Sequence, residues 1–199
     1  MPSHSVMVDI DGCLVDFDQC FRTAAEVLLE KKMPVERAYD FSLAKSYNLT
    51  QAEVSQVFNS DHVLEKLGSF IPFVPMCDYL KFLVSVGADI FYVTARGTSR
   101  KSGVDGFNKT IQTITKDWVA SYAPISAPVV FQENKLEFAQ AHGIDMAIED
   151  SPVNVSKLSK AGIVVLMPVW DYNIHMVGRK NVLPFDITGH SKADVTYCQ

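Results

Sequence analysis

Three short runs, VMVDI at 6–10, IFYVT at 90–94 and IVVLM at 163–167, are apolar and rich in β-branched residues without the alternation of a half-exposed strand. Strands of this kind are covered on both faces, a condition met when a parallel sheet lies between helices. The full set of five strand-like segments is 5–10, 88–94, 127–131, 145–149 and 163–167, and helix-like segments separate the later four. The expected fold is therefore α/β, a Rossmann-like parallel sheet flanked by helices. With 199 residues and 48% hydrophobic content, the chain can bury the core such a sheet requires.

One interval departs from this rhythm. Between Asp16 and Gly87 the periodicity gives only helices, at 21–32, 50–58, 62–67 and 76–86. The second opens with TQAE, the capping-box form in which Thr50 and Glu53 satisfy each other's backbone N–H groups. Such a stretch is too long for a simple crossover. It reads as an inserted helical subdomain over 17–75, with hinges at 16–18 and 72–75, leaving 1–16 and 76–199 as the core domain.

Charge and cysteine content narrow the functional classes. A net charge of -5 weighs against sequence-independent nucleic-acid binding, so no stable nucleic-acid complex is expected. Cys13, Cys20, Cys77 and Cys198 show no CxxC spacing, and none of the five histidines has metal-ligand spacing. Reduced thiols in a cytosol fit this pattern. The N-terminal MPSHSVMVDI lacks a basic n-region, and no apolar run reaches the roughly 18 residues of a membrane span, so a soluble, cytoplasmic chain is expected.

The chemistry-bearing residues fall at the carboxyl ends of successive strands, where open α/β sheets bind their ligands. Asp9 and Asp11 end the first strand at i and i+2, so both carboxylates point the same way and require a compensating cation or proton. A turn with a capping Asp is the plain alternative for DIDG. A calcium loop is excluded, because Gly12 comes fourth rather than sixth and Cys20 stands where the glutamate belongs. Thr94 ends the second strand, and its hydroxyl with the N–H groups of Ala95 and Arg96 makes either a phosphate cradle or a helix cap. Lys135 stands near a helix start, where the dipole disfavours a cation; it is either a solvated lysine or a used one. Glu149 and Asp150 end the fourth strand, followed by Pro152 at a helix start, and are either site acids or plain helix-start acids.

Taken together in this order, Asp9-Ile10-Asp11-Gly12, Thr94, Lys135 and Glu149-Asp150 resemble the four motifs of the haloacid dehalogenase superfamily. The resemblance implies that fold with an inserted helical cap, and a phosphomonoesterase acting through an aspartyl-phosphate intermediate. It implies Asp9 as nucleophile, Asp11 as general acid/base, and Thr94, Ala95, Arg96 and Lys135 as phosphate binders. Mg2+ is the implied cofactor, bound by Asp9, the Asp11 carbonyl and Asp150, with Glu149 acting through a neighbour. Within the superfamily, DIDGCLVDF, LGSFIPFVPM and LMPVWDYN are similar to segments of the cytosolic 5'(3')-deoxyribonucleotidases, which implies a nucleotide substrate whose base packs on Phe17. Two features depart from that family: the longer segment ARGTSRKSGVDG after Thr94, and ED where DD is commoner. The stretch TARGTSRKSGVDGFNKTIQTITKDWV is similar instead to polynucleotide 3'-phosphatase domains, with Arg96, Arg100 and Lys101 as basic residues that either reach a second phosphate or solvate a loop. A silent phosphate-binding module is the non-enzymatic alternative, and the pairing of Asp9 with Asp11 weighs against it. The other aromatic residues of the insertion, Phe21, Tyr39, Phe41, Tyr47, Phe58 and Phe70, are read as interior packing.

Overall fold

The computed structural model describes residues 4–98 and 105–188; Arg100, Lys101, His190 and Cys198 lie outside the described residues. Six strands form one all-parallel sheet in the order β3-β2-β1-β4-β5-β6. They are β1 (Ser5–Val8), β2 (Asp89–Thr94), β3 (Val129–Phe131), β4 (Met146–Ile148), β5 (Val164–Pro168) and β6 (Val182–Phe185). The first strand is central, with β2 on one side and β4 on the other. Register aligns Val8 with Tyr92 and with Ile148, so Asp9, Thr94 and Glu149 leave the same edge where strand order reverses.

Helices cover both faces, as the unbroken apolar runs require. Period-two alternation divides β1: Val6 and Val8 face a cluster with Met76, Leu80 and Leu83 of α5 (Val74–Ser85) and Trp118 of α6 (Asp105–Tyr122). On the other face Met7 joins Phe138 of α7 (Lys135–Ala141) and Val155 and Leu158 of α8 (Pro152–Lys160). Each strand ends within two residues of its sequence expectation. The exception is β6, which was not expected: it has four residues and contains Pro184, a residue confined to edge strands because it cannot donate to a ladder.

The interval between β1 and α5 is helical, as read from sequence. It holds α1 (Phe17–Leu29), α2 (Leu43–Ser46), α3 (Gln51–Phe58) and α4 (Asp61–Leu67), packed about an apolar cluster of their own that includes Phe21, Ala24, Tyr47, Val57 and Val63. The capping box at α3 is formed: the Thr50 hydroxyl accepts from Glu53 N–H, and the Glu53 carboxylate accepts from Thr50 N–H at 2.8 Å. The first helix begins four residues before its expected start. Asp16 is its N-cap, accepting from Gln19 N–H at 3.0 Å, so the expected hinge residues 17 and 18 are helical. The α2 turn escaped the periodicity reading because four residues carry too little pattern. Chain entry and exit are tied where Phe73 N–H donates to the Leu14 carbonyl at 2.8 Å.

Candidate active site

Asp9 follows β1 directly, and its N–H donates to the Ile148 carbonyl of the neighbouring strand at 2.9 Å. Backbone pairing therefore fixes this carboxylate. One oxygen accepts from Ile10 N–H at 2.7 Å, and the other meets the Lys135 ammonium at 2.6 Å. Lys135 is the first residue of α7, with Asn134 as N-cap. It is buried and bridges Asp9 to Glu149, whose Oε2 lies 2.7 Å away. Lys135 is thus a buried, paired lysine and not a solvated one.

The remaining acids occupy the same edge. Glu149 is fully buried, and its second oxygen accepts from Ser151 N–H at 3.0 Å. Asp150 accepts from the Tyr172 hydroxyl, and its Oδ1 lies 4.0 Å from Cys13 Sγ. Asp11 is gripped by Arg96: Nε lies 3.1 and 2.9 Å from its two carboxylate oxygens, and Nη2 lies 2.5 Å from Oδ1. The Arg96 N–H donates to Thr94 Oγ1 at 3.2 Å. Four carboxylates thus face two cations, Lys135 and Arg96.

Burial governs the electrostatics. It pushes the Asp9 carboxyl up to about 7, opposed by Lys135 and reinforced by Glu149 and Asp11. Burial together with Glu149 and Asp9 drives Asp150 well above the ordinary carboxylate range. For Lys135, burial works against the charge, yet Asp9 and Glu149 outweigh it and raise the ammonium's pKa. Asp9, Cys13 and Asp150 offer ligand atoms within 4.8 Å of one another. The Cys13 thiol is likewise pushed well upward by burial and by Asp150. The carboxylate oxygens of Asp9 and Asp150 are hard donors of the kind that suits Mg2+.

Gly12 is required here on two counts. Its φ of +71° favours glycine, and a Cβ would stand 2.1 Å from Asp150 Oδ2. The loop after β5 supports the same atoms: Trp170 Nε1 donates to the Gly12 carbonyl at 2.9 Å, and Asn173 donates to the Asp150 carbonyl at 2.9 Å. The sequence assigns Trp170, Tyr172 and Asn173 no role, since no local pattern tells a loop that it will fold back onto a distant strand end.

These groups line a cavity of about 1080 Å³ that extends between the strand ends and the helices of the insertion. Phe17 lines it, and also packs against the helical cluster and stacks on Phe58 at 5.7 Å. Phe41 and Phe58, expected inside, line the cavity and are exposed. The expectation of interior packing holds for Phe21 and Tyr47.

No protein-family model and no curated protein sequence matches the chain. Solved structures do. A haloacid dehalogenase-like hydrolase from Streptococcus pneumoniae superposes with a TM-score of 0.57 at 17% identity, covering 93% of this chain and 95% of that one. CbbY from Rhodobacter sphaeroides, solved with phosphate, gives 0.58 at 11% identity over 94% and 96% of the two chains. A phosphoglycolate phosphatase-like protein from Lactobacillus delbrueckii subsp. bulgaricus gives 0.59 at 14% identity over 92% and 94%. The chain therefore has the haloacid dehalogenase-like α/β fold.

Proposed function

We propose that the protein is a magnesium-dependent phosphomonoesterase that passes through an aspartyl phosphate on Asp9 and acts on small phosphate esters, with nucleoside monophosphates as the favoured substrates. The observation that carries this reading is the convergence of Asp9, Lys135 and Asp150 at the sheet's switch point, beneath a cavity walled by the aromatic side chains of the insertion. The fold shared with hydrolases, one of them solved with phosphate, supports it.

In this reading the Asp9 carboxylate attacks phosphorus and the alcohol leaves with a proton from Asp11. Lys135, the Thr94 hydroxyl and the Ala95 N–H hold the phosphoryl oxygens, where charge develops. Asp9, Asp150 and the Asp11 carbonyl would hold Mg2+, which supplies charge neutralisation to the transferring group when bound. Glu149 fixes the Lys135 ammonium between itself and Asp9. Residues 17–75 act as the cap that encloses the substrate, with Phe17 against the base. Free Cys13, Cys20 and Cys77 suit a reducing, cytoplasmic compartment.

The test is a panel of nucleoside monophosphates, sugar phosphates, phosphorylated small acids and a 3'-phosphorylated oligonucleotide, each assayed with and without Mg2+. Highest kcat/KM is expected for a mononucleotide. Preference for the oligonucleotide would retain the phosphatase chemistry and remove the nucleotidase assignment. Turnover of none would leave only a phosphate-binding module.

A further inference from the structure

Arg96 belongs to the cavity wall, and its guanidinium is paired with Asp11. It lies along Asp11, with Nε on both carboxylate oxygens and Nη2 on Oδ1, while Nη1 lies 3.5 Å from the Thr115 hydroxyl of α6. All three guanidinium nitrogens therefore have protein partners. The Arg96 side chain is 5% exposed and the Asp11 side chain 27%, so the arginine is the buried member and the carboxylate the one that meets the cavity.

The backbone on either side is built to hold this placement. Arg96 N–H is bound to Thr94 Oγ1, and Gly97 turns the chain at φ +62°, where a Cβ would lie 2.7 Å from the Asn108 carbonyl. A planar fork engaged on both carboxylate oxygens fixes orientation as well as position, which a lysine's point charge cannot do. Burying a guanidinium is costly unless its charge is met, and Asp11 meets it.

We propose that Arg96 is a positioning residue for Asp11 rather than a substrate phosphate binder, and that it aims the Asp11 carboxylate at the water that hydrolyses the aspartyl phosphate. This rests on the phosphatase reading above. In that step the water oxygen bonds to phosphorus as the Asp9 oxygen–phosphorus bond breaks, and the water proton passes to the Asp11 carboxylate. Inorganic phosphate and the free Asp9 carboxylate are the products. The proton now on Asp11 is the one given to the next leaving alcohol.

The two half-reactions can be separated with p-nitrophenyl phosphate, whose leaving group departs without needing a proton. In rapid mixing with Mg2+, Arg96→Gln is expected to release a burst of nitrophenolate near one per active site. A steady rate about a hundredfold below wild type should follow, the scale of a lost general base. KM should fall together with the steady rate, so that kcat/KM stays near wild type because only the hydrolysis step is slowed, and Arg96→Lys should fall between the two. Loss of the burst together with a large rise in KM, or a steady rate equal to wild type, would overturn the proposal. Arg96→Lys keeps a cation in the buried position and carries the same readout if Arg96→Gln fails to fold. Absence of turnover in the wild type would instead count against the phosphatase reading itself.

Discussion

At the residue scale, the Asp9 carboxylate is held by a strand end and met by the Lys135 ammonium. Asp9→Asn keeps the size and most of the hydrogen bonding but removes the proposed nucleophile, so turnover is expected to fall at least about a thousandfold. Circular dichroism should show the fold unchanged. Gly12→Ala tests a different necessity. With φ +71° and Asp150 Oδ2 2.1 Å from the added Cβ, the variant must move either the loop or the Asp150 carboxylate. It is expected to lose more than about 1 kcal/mol of stability by denaturant unfolding, because alanine at positive φ is strained, and to bind Mg2+ more weakly by calorimetry. Retention of both properties would show that the loop yields freely.

At the element scale, Phe17 is the first residue of α1 and stacks on the last residue of α3, so the cavity wall spans both helices. Phe17→Ala is expected to cost roughly 1 to 3 kcal/mol in kcat/KM for nucleoside monophosphates, the range of base stacking on an aromatic ring. Little should change with p-nitrophenyl phosphate, which has no base. An equal loss with both esters would make Phe17 a structural member of the wall. The sheet was legible because strands buried on both faces announce themselves, and α3 because Thr50 and Glu53 cap it locally. The start of α1 was also available in DFDQ, where Asp16 precedes Gln19 by three residues in the spacing of a cap. β6 was not, since Pro184 argues against a strand until its edge position is known. Within the site, single residues at strand ends could be read in order. The Arg96–Asp11 pair and the Tyr172–Asp150 bond join residues 85 and 22 positions apart, and pairing across such distances leaves no trace in local pattern.

At the scale of the whole molecule, four carboxylates gathered around two cations should make folding depend on a divalent ion. Mg2+ at a hundred times its dissociation constant is expected to stabilise the protein by about 2.7 kcal/mol, seen as a rise in melting temperature that EDTA reverses. Asp150→Ala should raise the Mg2+ requirement for turnover more than Glu149→Gln, whose partners are Lys135 and Ser151 N–H. The reverse order would place the ligand one residue earlier. The central claim is that the phosphoryl group resides on Asp9, and acid quenching during turnover with Mg2+ followed by peptide mass spectrometry tests it directly. One phosphoryl group per chain, labile to hydroxylamine, is expected on the peptide containing Asp9 and absent in Asp9→Asn. Turnover with no phosphorylated aspartate, or a phosphoryl group on another residue, would contradict the account.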